Sequence, residues 1–194
     1  SRTKGDYMKK ILALLCCMGA TANAGPFGID VDGFEPDNYA CSKIGEFWYE
    51  CADIPRQHSA IEAYVVKYVP AIGLCVIKGV GKKIETNGYG SGVKNIVDEL
   101  YGQISTKYGK GEKMDMLFPN ALWDDPDEWL SSIAQNERVY GYIAEDIPEL
   151  EGIVTYGTIA QATSRDTGAP IVEFYTKHGE KCDNFENEKD SSSF

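Results

Sequence analysis

The chain has 194 residues, with 30 acidic and 19 basic side chains and a net charge of −11 at pH 7. This length suits a single domain with a hydrophobic core. Because a negative field repels phosphate backbones and anionic lipid headgroups, the composition argues against nucleic acid and membrane surfaces as partners. We find no catalytic constellation in the sequence, which predicts no catalytic residue, no metal site and no cofactor.

The first part of the chain has the pattern of an export leader. Two lysines follow Met8, an apolar run covers residues 11–18, and Ala22-Asn23-Ala24 is a small-x-small cleavage motif. The sequence therefore predicts a signal peptide over residues 8–24, cleaved after Ala24, with residues 1–7 as upstream residues. Residues 1–24 hold four basic and one acidic side chain, so the remaining chain carries a net charge of −14.

Two alternatives compete with a cleaved leader. A membrane anchor is disfavoured because the apolar run is shorter than the roughly 20 residues that span a bilayer. A lipoprotein is disfavoured because lipid attachment requires a small residue before the cysteine, whereas Leu15 precedes Cys16 and Cys16 precedes Cys17. We expect a periplasmic or secreted protein with no integral membrane anchor after leader cleavage.

The pattern of the first half predicts strands after an irregular start. Residues 25–29 are interpreted as a short edge segment, and residues 38–51 as a short helix. Residues 61–69 are rich in β-branched and aromatic side chains and predict a strand, which resumes over residues 72–83 after a tight turn. Residues 85–90 form a glycine-rich loop.

A helix is predicted from Val93 to Tyr108, with Ser91 as its N-cap and Gly109 as its stop. Its apolar side chains recur at helical spacing and leave a polar opposite face. They are Val93, Ile96, Val97, Leu100, Tyr101, Ile104 and Tyr108.

The second half predicts one more helix and three strands. The helix begins at Asp125-Pro126, where Asp125 caps and Glu128 reaches back to the cap, and it ends near Gln135. Residues 139–144 are either a strand or a continuation of this helix, and Gly141 favours the strand. Strands are also predicted over residues 152–162 and 170–177, which form a hairpin.

Because strands and helices are clustered rather than alternating, the sequence predicts an α+β fold. We expect an antiparallel β-sheet with two main helices packed on one face, stapled by disulfides. This single domain covers residues 25–182, and residues 183–194 are predicted to be a flexible acidic and serine-rich tail.

An even number of cysteines remains after the leader, which in an oxidising compartment predicts two disulfides with three possible pairings. We prefer a short local loop, Cys41–Cys51, and a second bond that ties a central strand to the C-terminal end, Cys75–Cys182. A metal site is disfavoured because no CxxC pair occurs and the chain has only two histidines. The four cysteines are Cys41, Cys51, Cys75 and Cys182.

One cluster combines acids with two tryptophans, as sugar-binding and sugar-cleaving sites do. The alternative is a charged helix start whose tryptophans pack into the core. Its residues are Trp123, Asp124, Asp125, Asp127, Glu128 and Trp129. A second candidate is the loop over residues 88–92, which precedes a predicted helix. Backbone N–H groups at a helix start can bind an anion, although no P-loop lysine follows this loop.

Several short motifs resemble a group of small, uncharacterised exported proteins of Gram-negative bacteria. They are GPFGI at 25–29, YVV at 64–66, GLCVIK at 73–78, GKKI at 81–84, YG at 89–90, KYG at 107–109, Trp123, Trp129, Gly168, EFY at 173–175 and Cys182. The resemblance implies no activity, cofactor or site. It adds support for pairing Cys75 with Cys182, whereas the pairing of Cys41 with Cys51 rests on spacing.

Export, disulfides and a small body without a reactive constellation favour a non-catalytic binding or accessory module for a protein or cell-envelope component. The alternatives are a hydrolytic enzyme of unrecognised type that uses carboxylates near residues 124–128, and a purely structural envelope component. Acids gathered in a deep cleft favour the enzyme, and acids in solvent beside a flat apolar patch favour binding.

Overall fold

The computed structural model describes residues 24–191, apart from the side chain of Asp190. This part of the chain is a mixed α+β structure with a nine-stranded antiparallel sheet and three α-helices. The strands are β1 (Cys41–Lys43), β2 (Trp48–Cys51), β3 (Ile61–Val69), β4 (Gly73–Gly81), β5 (Ile84–Glu85), β6 (Glu112–Leu117), β7 (Arg138–Ala144), β8 (Ile153–Ala162) and β9 (Thr167–Thr176). The helices are α1 (Ser91–Tyr108), α2 (Trp129–Ala134) and α3 (Gly179–Ser191).

Two antiparallel meanders meet in the middle of the sheet, whose strand order is β1-β2-β3-β4-β9-β8-β7-β6. Strands β4 and β9 pair at the junction, and β5 adds a short pairing to the other end of β9. Helix α1 carries the chain from the centre of the sheet to its far edge, where β6 pairs only with β7. The strands predicted over residues 61–69, 72–83, 139–144, 152–162 and 170–177 are confirmed.

The predicted helix at Val93–Tyr108 is also confirmed, as α1, which packs against β7, β8 and β9. Its side chains Val93, Val97 and Leu100 are buried, and Tyr108 lies beside Phe174 with ring centroids 5.7 Å apart. The N-cap is Gly90 rather than Ser91, which is the first helical residue. The apolar stripe therefore identifies the buried face correctly, and the cap position is wrong by one residue.

The prediction of a flexible tail is wrong for residues 183–191, which belong to α3; residues 192–194 lie outside the described part of the chain. Besides the Phe47–Phe185 ring contact and the Lys189–Glu46 ion pair, a disulfide and a buried lysine fix this acidic helix. The buried Cys182 is bonded to Cys75, and the Lys67 ammonium lies 3.1 Å from Asp183 Oδ1 and 2.7 Å from Glu186 Oε2. Burial lowers the pKa of Lys67, but these two carboxylates outweigh it and raise the pKa above its ordinary value.

Helix α3 does not share the face that α1 covers. Tyr64 and Val66 of β3 belong to the core cluster that includes Leu100 of α1, whereas Lys67, the next residue, bonds to α3. Since successive side chains of a strand point to opposite faces, α3 lies on the other side of the sheet. The expectation of two main helices on one face is therefore not confirmed, and α2 has only six residues.

Two local expectations fail and one strand is missed, because these short segments carry no clear hydrophobic period. Residues 38–51 form no α-helix; they hold the end of a 3-10 turn (Pro36–Tyr39) and the β1–β2 hairpin. Residues 25–29 contain a 3-10 turn (Pro26–Gly28) instead of an edge strand. Strand β6 has no counterpart in the prediction, because its sequence EKMDML is half charged and reads as a polar connection.

Both preferred disulfides, Cys41–Cys51 and Cys75–Cys182, are confirmed. The first joins directly opposed residues of β1 and β2, and the second joins β4 to α3. The upstream residues 1–7 and all of the predicted signal peptide except Ala24 lie outside the described residues. Within residues 24–191 no helix is both long and apolar enough to cross a membrane.

Tyr156, in the middle of β8, makes stability depend on pH in the alkaline range. The side chain is fully buried, its hydroxyl donates to the Gly109 carbonyl at 2.6 Å, and burial raises its pKa to about 12. Because the unfolded chain ionises first, near pH 10, stability is complete below that pH and falls as the pH rises toward 12.

We expect the wild-type protein to lose about 1–1.5 kcal/mol more than Tyr156→Phe between pH 8 and pH 11. Urea unfolding of the two proteins at both pH values measures the difference. Equal losses would mean that Tyr156 ionises as readily in the folded protein as in the unfolded chain.

Candidate binding surface

The structure divides the predicted acid and tryptophan cluster instead of gathering it in a cleft. Asp124, Asp125 and Asp127 are exposed, and Trp123 is 38% exposed, whereas Trp129 is buried at 3% exposure. Within the described part of the chain none of these three aspartates forms an ion pair. The carboxylates therefore face solvent.

The helix start that carries these acids differs from the predicted capping arrangement. Pro126–Glu128 is a 3-10 turn that leads into α2, and the Glu128 N–H donates to the Asp125 carbonyl at 3.0 Å. The Asp125 side chain makes no capping hydrogen bond. The predicted roles of Asp125 as a side-chain cap and of Glu128 as its reciprocal partner are therefore wrong; Asp125 is exposed, whereas Glu128 is half-buried.

Trp129 anchors α2 against the glycine loop that precedes α1. Its ring lies 5.4 Å from the Tyr140 ring in a T-shaped contact, and the Lys94 ammonium lies 4.3 Å above it. A Cβ at Gly90 would be 2.1 Å from the Trp129 ring, and one at Gly88 would be 1.9 Å from the Asp127 carbonyl oxygen. The glycines are therefore present because backbone and ring approach closely.

The first N–H groups of α1 are already occupied, which removes the basis for the anion site. The Ser91 N–H donates to Asn87 Oδ1 at 3.3 Å, and the Gly92 N–H donates to Thr86 Oγ1 at 3.0 Å. A phosphate or carboxylate at a helix start needs free N–H donors. This loop supports packing and capping rather than ligand binding.

A single carboxylate organises the segment between β6 and the acids. Glu137 Oε2 accepts the N–H groups of Leu122 at 2.8 Å and Trp123 at 2.9 Å, and the Glu137 carbonyl accepts the Phe118 N–H at 2.7 Å. Phe118, Leu122 and Trp123 therefore all donate hydrogen bonds to Glu137, which directly precedes β7. The loop over residues 118–123, here named the Glu137 loop, is held in a fixed shape.

The Glu137 loop and the end of β6 expose four large apolar side chains. Leu122 is 81% exposed and Met116 54%, and Phe118 and Trp123 are each more than a third exposed. Single exposed apolar residues are ordinary, but these four all fall within residues 116–123, and grouped apolar exposure indicates an interaction surface. We name Met116, Phe118, Leu122 and Trp123 the apolar patch, and the adjacent Asp124, Asp125 and Asp127 the acidic rim.

A polar network ties the strand that carries the patch to the helix layer. Asp98 Oδ1 of α1 accepts the hydroxyls of Tyr140 at 2.8 Å and Tyr142 at 3.0 Å, and the Lys113 ammonium of β6 lies over both rings. Arg138 Nη1 of β7 donates to Asp115 of β6 at 2.9 Å. Side chains therefore hold the edge strand in addition to its backbone pairing.

This network does not have the pKa values of an acid–base site. Hydrogen bonding to Tyr140 raises the pKa of Lys113, and burial raises the pKa of Tyr140 to about 12. General acid–base catalysis near neutral pH needs a group that titrates there. The shifts keep the lysine charged and the tyrosine neutral, which suits a structural clamp.

Metal chemistry has no support in residues 24–191, where no group of three His, Cys, Asp or Glu side chains is arranged to hold an ion. His178 Nε2 lies 3.7 Å from the exposed Asp32 carboxylate. His58 Nε2 lies 3.0 Å from Gln103 Oε1. The two histidines thus have different partners.

Sequence analysis identified Trp123 and the acidic rim but missed the other members of the patch and their organiser. Met116 lies near the end of the edge strand β6, whose charged residues obscure its strand pattern, and Phe118 directly follows that strand. Glu137 lies 14 residues beyond Trp123 in an unremarkable polar turn. The available signal was the run MDMLF, in which apolar residues recur next to charges without a helical period.

Comparison with known proteins adds no relative to this picture. No family model matches the chain, and neither a curated protein nor a solved structure matches it.

Proposed function

We propose that this protein is an exported, non-catalytic binding module that holds a partner protein on the apolar patch. The observation that carries the proposal is the exposure of four large apolar side chains at the end of β6 and on the loop that Glu137 fixes, next to acids that form no ion pair among the described residues. A fixed loop loses little conformational entropy on binding, so its apolar surface is available for affinity.

The acidic rim specifies the chemistry of the partner. Three exposed aspartates border the patch on a chain whose overall charge is strongly negative. Complementary charges accelerate association and select the partner, while apolar contacts at the centre supply most of the affinity. The partner is therefore a protein segment that combines large apolar side chains with lysine or arginine.

Exposed acids support binding over hydrolysis. A glycosidase needs two carboxylates held at a defined separation on either side of the scissile bond. Asp124, Asp125 and Asp127 stand in solvent instead, and the one deeply buried aromatic of the cluster, Trp129, packs against Tyr140. The two disulfides support a periplasmic or secreted location, because such bonds persist in oxidising compartments.

We expect Leu122→Asp to weaken partner binding at least about tenfold, since a hot-spot side chain contributes 1.4 kcal/mol or more. The oxidised chain 25–194 is used to capture partners from a bacterial envelope extract, and the dissociation constant is then measured with the purified partner. Ile44→Asp is the matched control, because Ile44 is 57% exposed but lies in the β1–β2 hairpin, outside the patch.

Replacing Asp124, Asp125 and Asp127 together by asparagine is expected to slow association and reduce its dependence on salt. The proposal fails if Leu122→Asp and Ile44→Asp retain the same partners with the same affinity. It also fails if the triple variant associates at the wild-type rate, because the captured proteins would then bind through apolar contact alone.

A further inference from the structure

A concave site outside the apolar patch lies between the N-terminal turn and the last turns of α1. Its volume is about 290 Å³. Its large apolar lining residues are Phe27, Ile104, Tyr108 and Phe174. The Phe27 and Phe174 ring centroids are 5.9 Å apart, and the Tyr108 and Phe174 centroids 5.7 Å apart. Rings that pack on one another in this way form a preformed apolar floor.

The rim of this cavity is basic, in contrast to the rest of an acidic protein. Arg56 and Lys107 both line it. Lys107 is paired with Glu151 at 2.5 Å, but Arg56 forms no ion pair with any described residue. The backbone N–H of Arg56 donates to the Phe27 carbonyl at 2.9 Å, which holds the Arg56 backbone at the rim. An unpaired guanidinium beside an apolar floor is the arrangement that binds a carboxylate on a hydrocarbon body.

His58 also lines the cavity, and both of its ring nitrogens are hydrogen-bonded within the protein. Its Nδ1 accepts the Ala60 N–H at 3.1 Å, so the ring proton is assigned to Nε2, which faces Gln103 Oε1 at 3.0 Å. This pairing uses both ring nitrogens. The carboxylate of a ligand is therefore left to Arg56.

Leader cleavage changes the state of Arg56. The guanidinium Nη2 donates to the Ala24 carbonyl at 3.3 Å, and this is its one hydrogen bond within residues 24–191. Cleavage after Ala24 removes that carbonyl and creates an α-ammonium at Gly25, whose nitrogen lies 2.8 Å from the Ile29 carbonyl oxygen and which also lines the cavity. Processing thus frees one cation and adds another at the same rim.

We propose that the processed chain binds a small apolar carboxylate in this cavity, with the Arg56 guanidinium on the carboxylate and the aromatic floor on the hydrocarbon. The dependence on processing rests on the proposed export. The cavity is near the lower end of the 300–1,000 Å³ range of ligand sites, so the ligand has roughly ten non-hydrogen atoms in the cavity. Both a free carboxylic acid and the C-terminal residue of a peptide supply this chemistry.

Calorimetric titration of the chain 25–194 with octanoate and with octanol tests the carboxylate. Octanoate is expected to bind at least about tenfold more tightly than octanol, and Arg56→Gln is expected to remove that advantage. Arg165→Gln is the matched control, because Arg165 is exposed in the β8–β9 turn and does not line the cavity. Equal binding of the two ligands, no binding of octanoate, or equal losses in both arginine variants would overturn the assignment.

Two further arms separate the ligand source and the processing step. A tripeptide ending in leucine, its C-terminal amide and octanoate are titrated in parallel, the amide serving as the control without a carboxylate. If the peptide acid binds more strongly than octanoate, the site is assigned to peptide ends; if it binds more weakly, the site is assigned to free acids.

A chain that begins at Ala24 is expected to bind octanoate about threefold more weakly than one that begins at Gly25, since the Ala24 carbonyl competes for Arg56. Equal binding by these two chains would overturn the processing step.

The test is independent of the apolar patch. Leu122→Asp is expected to leave octanoate binding unchanged, because Leu122 does not line the cavity. Export is checked separately by the intact mass of the native protein, which begins at Gly25 if the leader is removed.

Discussion

Removing the Cys75–Cys182 disulfide is expected to lower the free energy of unfolding by about 5 kcal/mol, against about 3 kcal/mol for Cys41–Cys51. The two bonds close loops of very different length, with sequence separations of 107 and 10 residues. In the chain-entropy model the longer loop restricts the unfolded chain more, which gives the difference of about 2 kcal/mol.

The positions of the two bonds in the fold act in the same direction. Cys41 and Cys51 are already opposed in the backbone pairing of β1 with β2, so the native hairpin keeps them close without the bond. Cys75 and Cys182 are fully buried, and they attach a helix that Lys67 of β3 also holds through two carboxylates. Loss of this bond therefore also weakens the docking of α3.

Urea unfolding of two double variants, Cys75→Ala with Cys182→Ala and Cys41→Ala with Cys51→Ala, measures both losses without leaving a free thiol. Fully reduced wild-type protein is the reference, and it should be less stable than either variant. Equal losses, or a larger loss for the shorter loop, would show that loop length does not determine the contribution of these bonds.

The sequence predicts the elements that have a strong period and a large buried face. Ile61–Val69 is a strand because β-branched and aromatic residues fill it, and α1 is a helix because its apolar residues recur at helical spacing. The β8–β9 hairpin follows from two similar runs around a polar turn. In each case local preference and tertiary burial agree, so the pattern is sufficient.

The rest depends on contacts between residues that are distant in sequence. Helix α3 is acidic and has little apolar surface, so its order depends on partners more than 100 residues earlier, among them Cys75, Lys67 and Phe47. Strand β6 is charged along its length, and its place at the sheet edge is set by β7 and by the Arg138–Asp115 pair. No local rule reports such partners.

The candidate surface shows the same division. Exposed acids and Trp123 are visible in the sequence because their composition is unusual. Glu137 is one glutamate among many, and its role appears only when its carboxylate receives the N–H groups of Leu122 and Trp123. The shape of a loop that is fixed by one distant side chain is a property of the folded chain.

The two tryptophans of the original cluster are expected to respond to truncation in opposite ways. Trp129→Ala should lower the free energy of unfolding by about 3–5 kcal/mol, the usual loss for a large buried aromatic side chain. The substitution leaves a cavity between Gly90 and Tyr140 and removes the cation–π contact with Lys94. The Trp129 indole N–H makes no hydrogen bond among the described residues, so the loss is one of packing.

Trp123→Ala should change stability by less than about 1 kcal/mol, because the side chain lies partly in solvent and only its backbone N–H bonds to Glu137. Its effect should appear in partner affinity instead. Urea unfolding and partner titration of both variants, with Trp129→Phe as a conservative control that keeps an aromatic ring, separate the two roles.

If Trp123→Ala destabilised the fold as much as Trp129→Ala, the apolar patch would be part of the core and would not be available to a partner. If Trp129→Ala instead left stability unchanged and weakened binding, the buried ring would belong to the ligand site. The difference in exposure, 38% against 3%, predicts neither outcome. It assigns binding to the exposed indole and folding to the buried one, although six residues separate them in the chain.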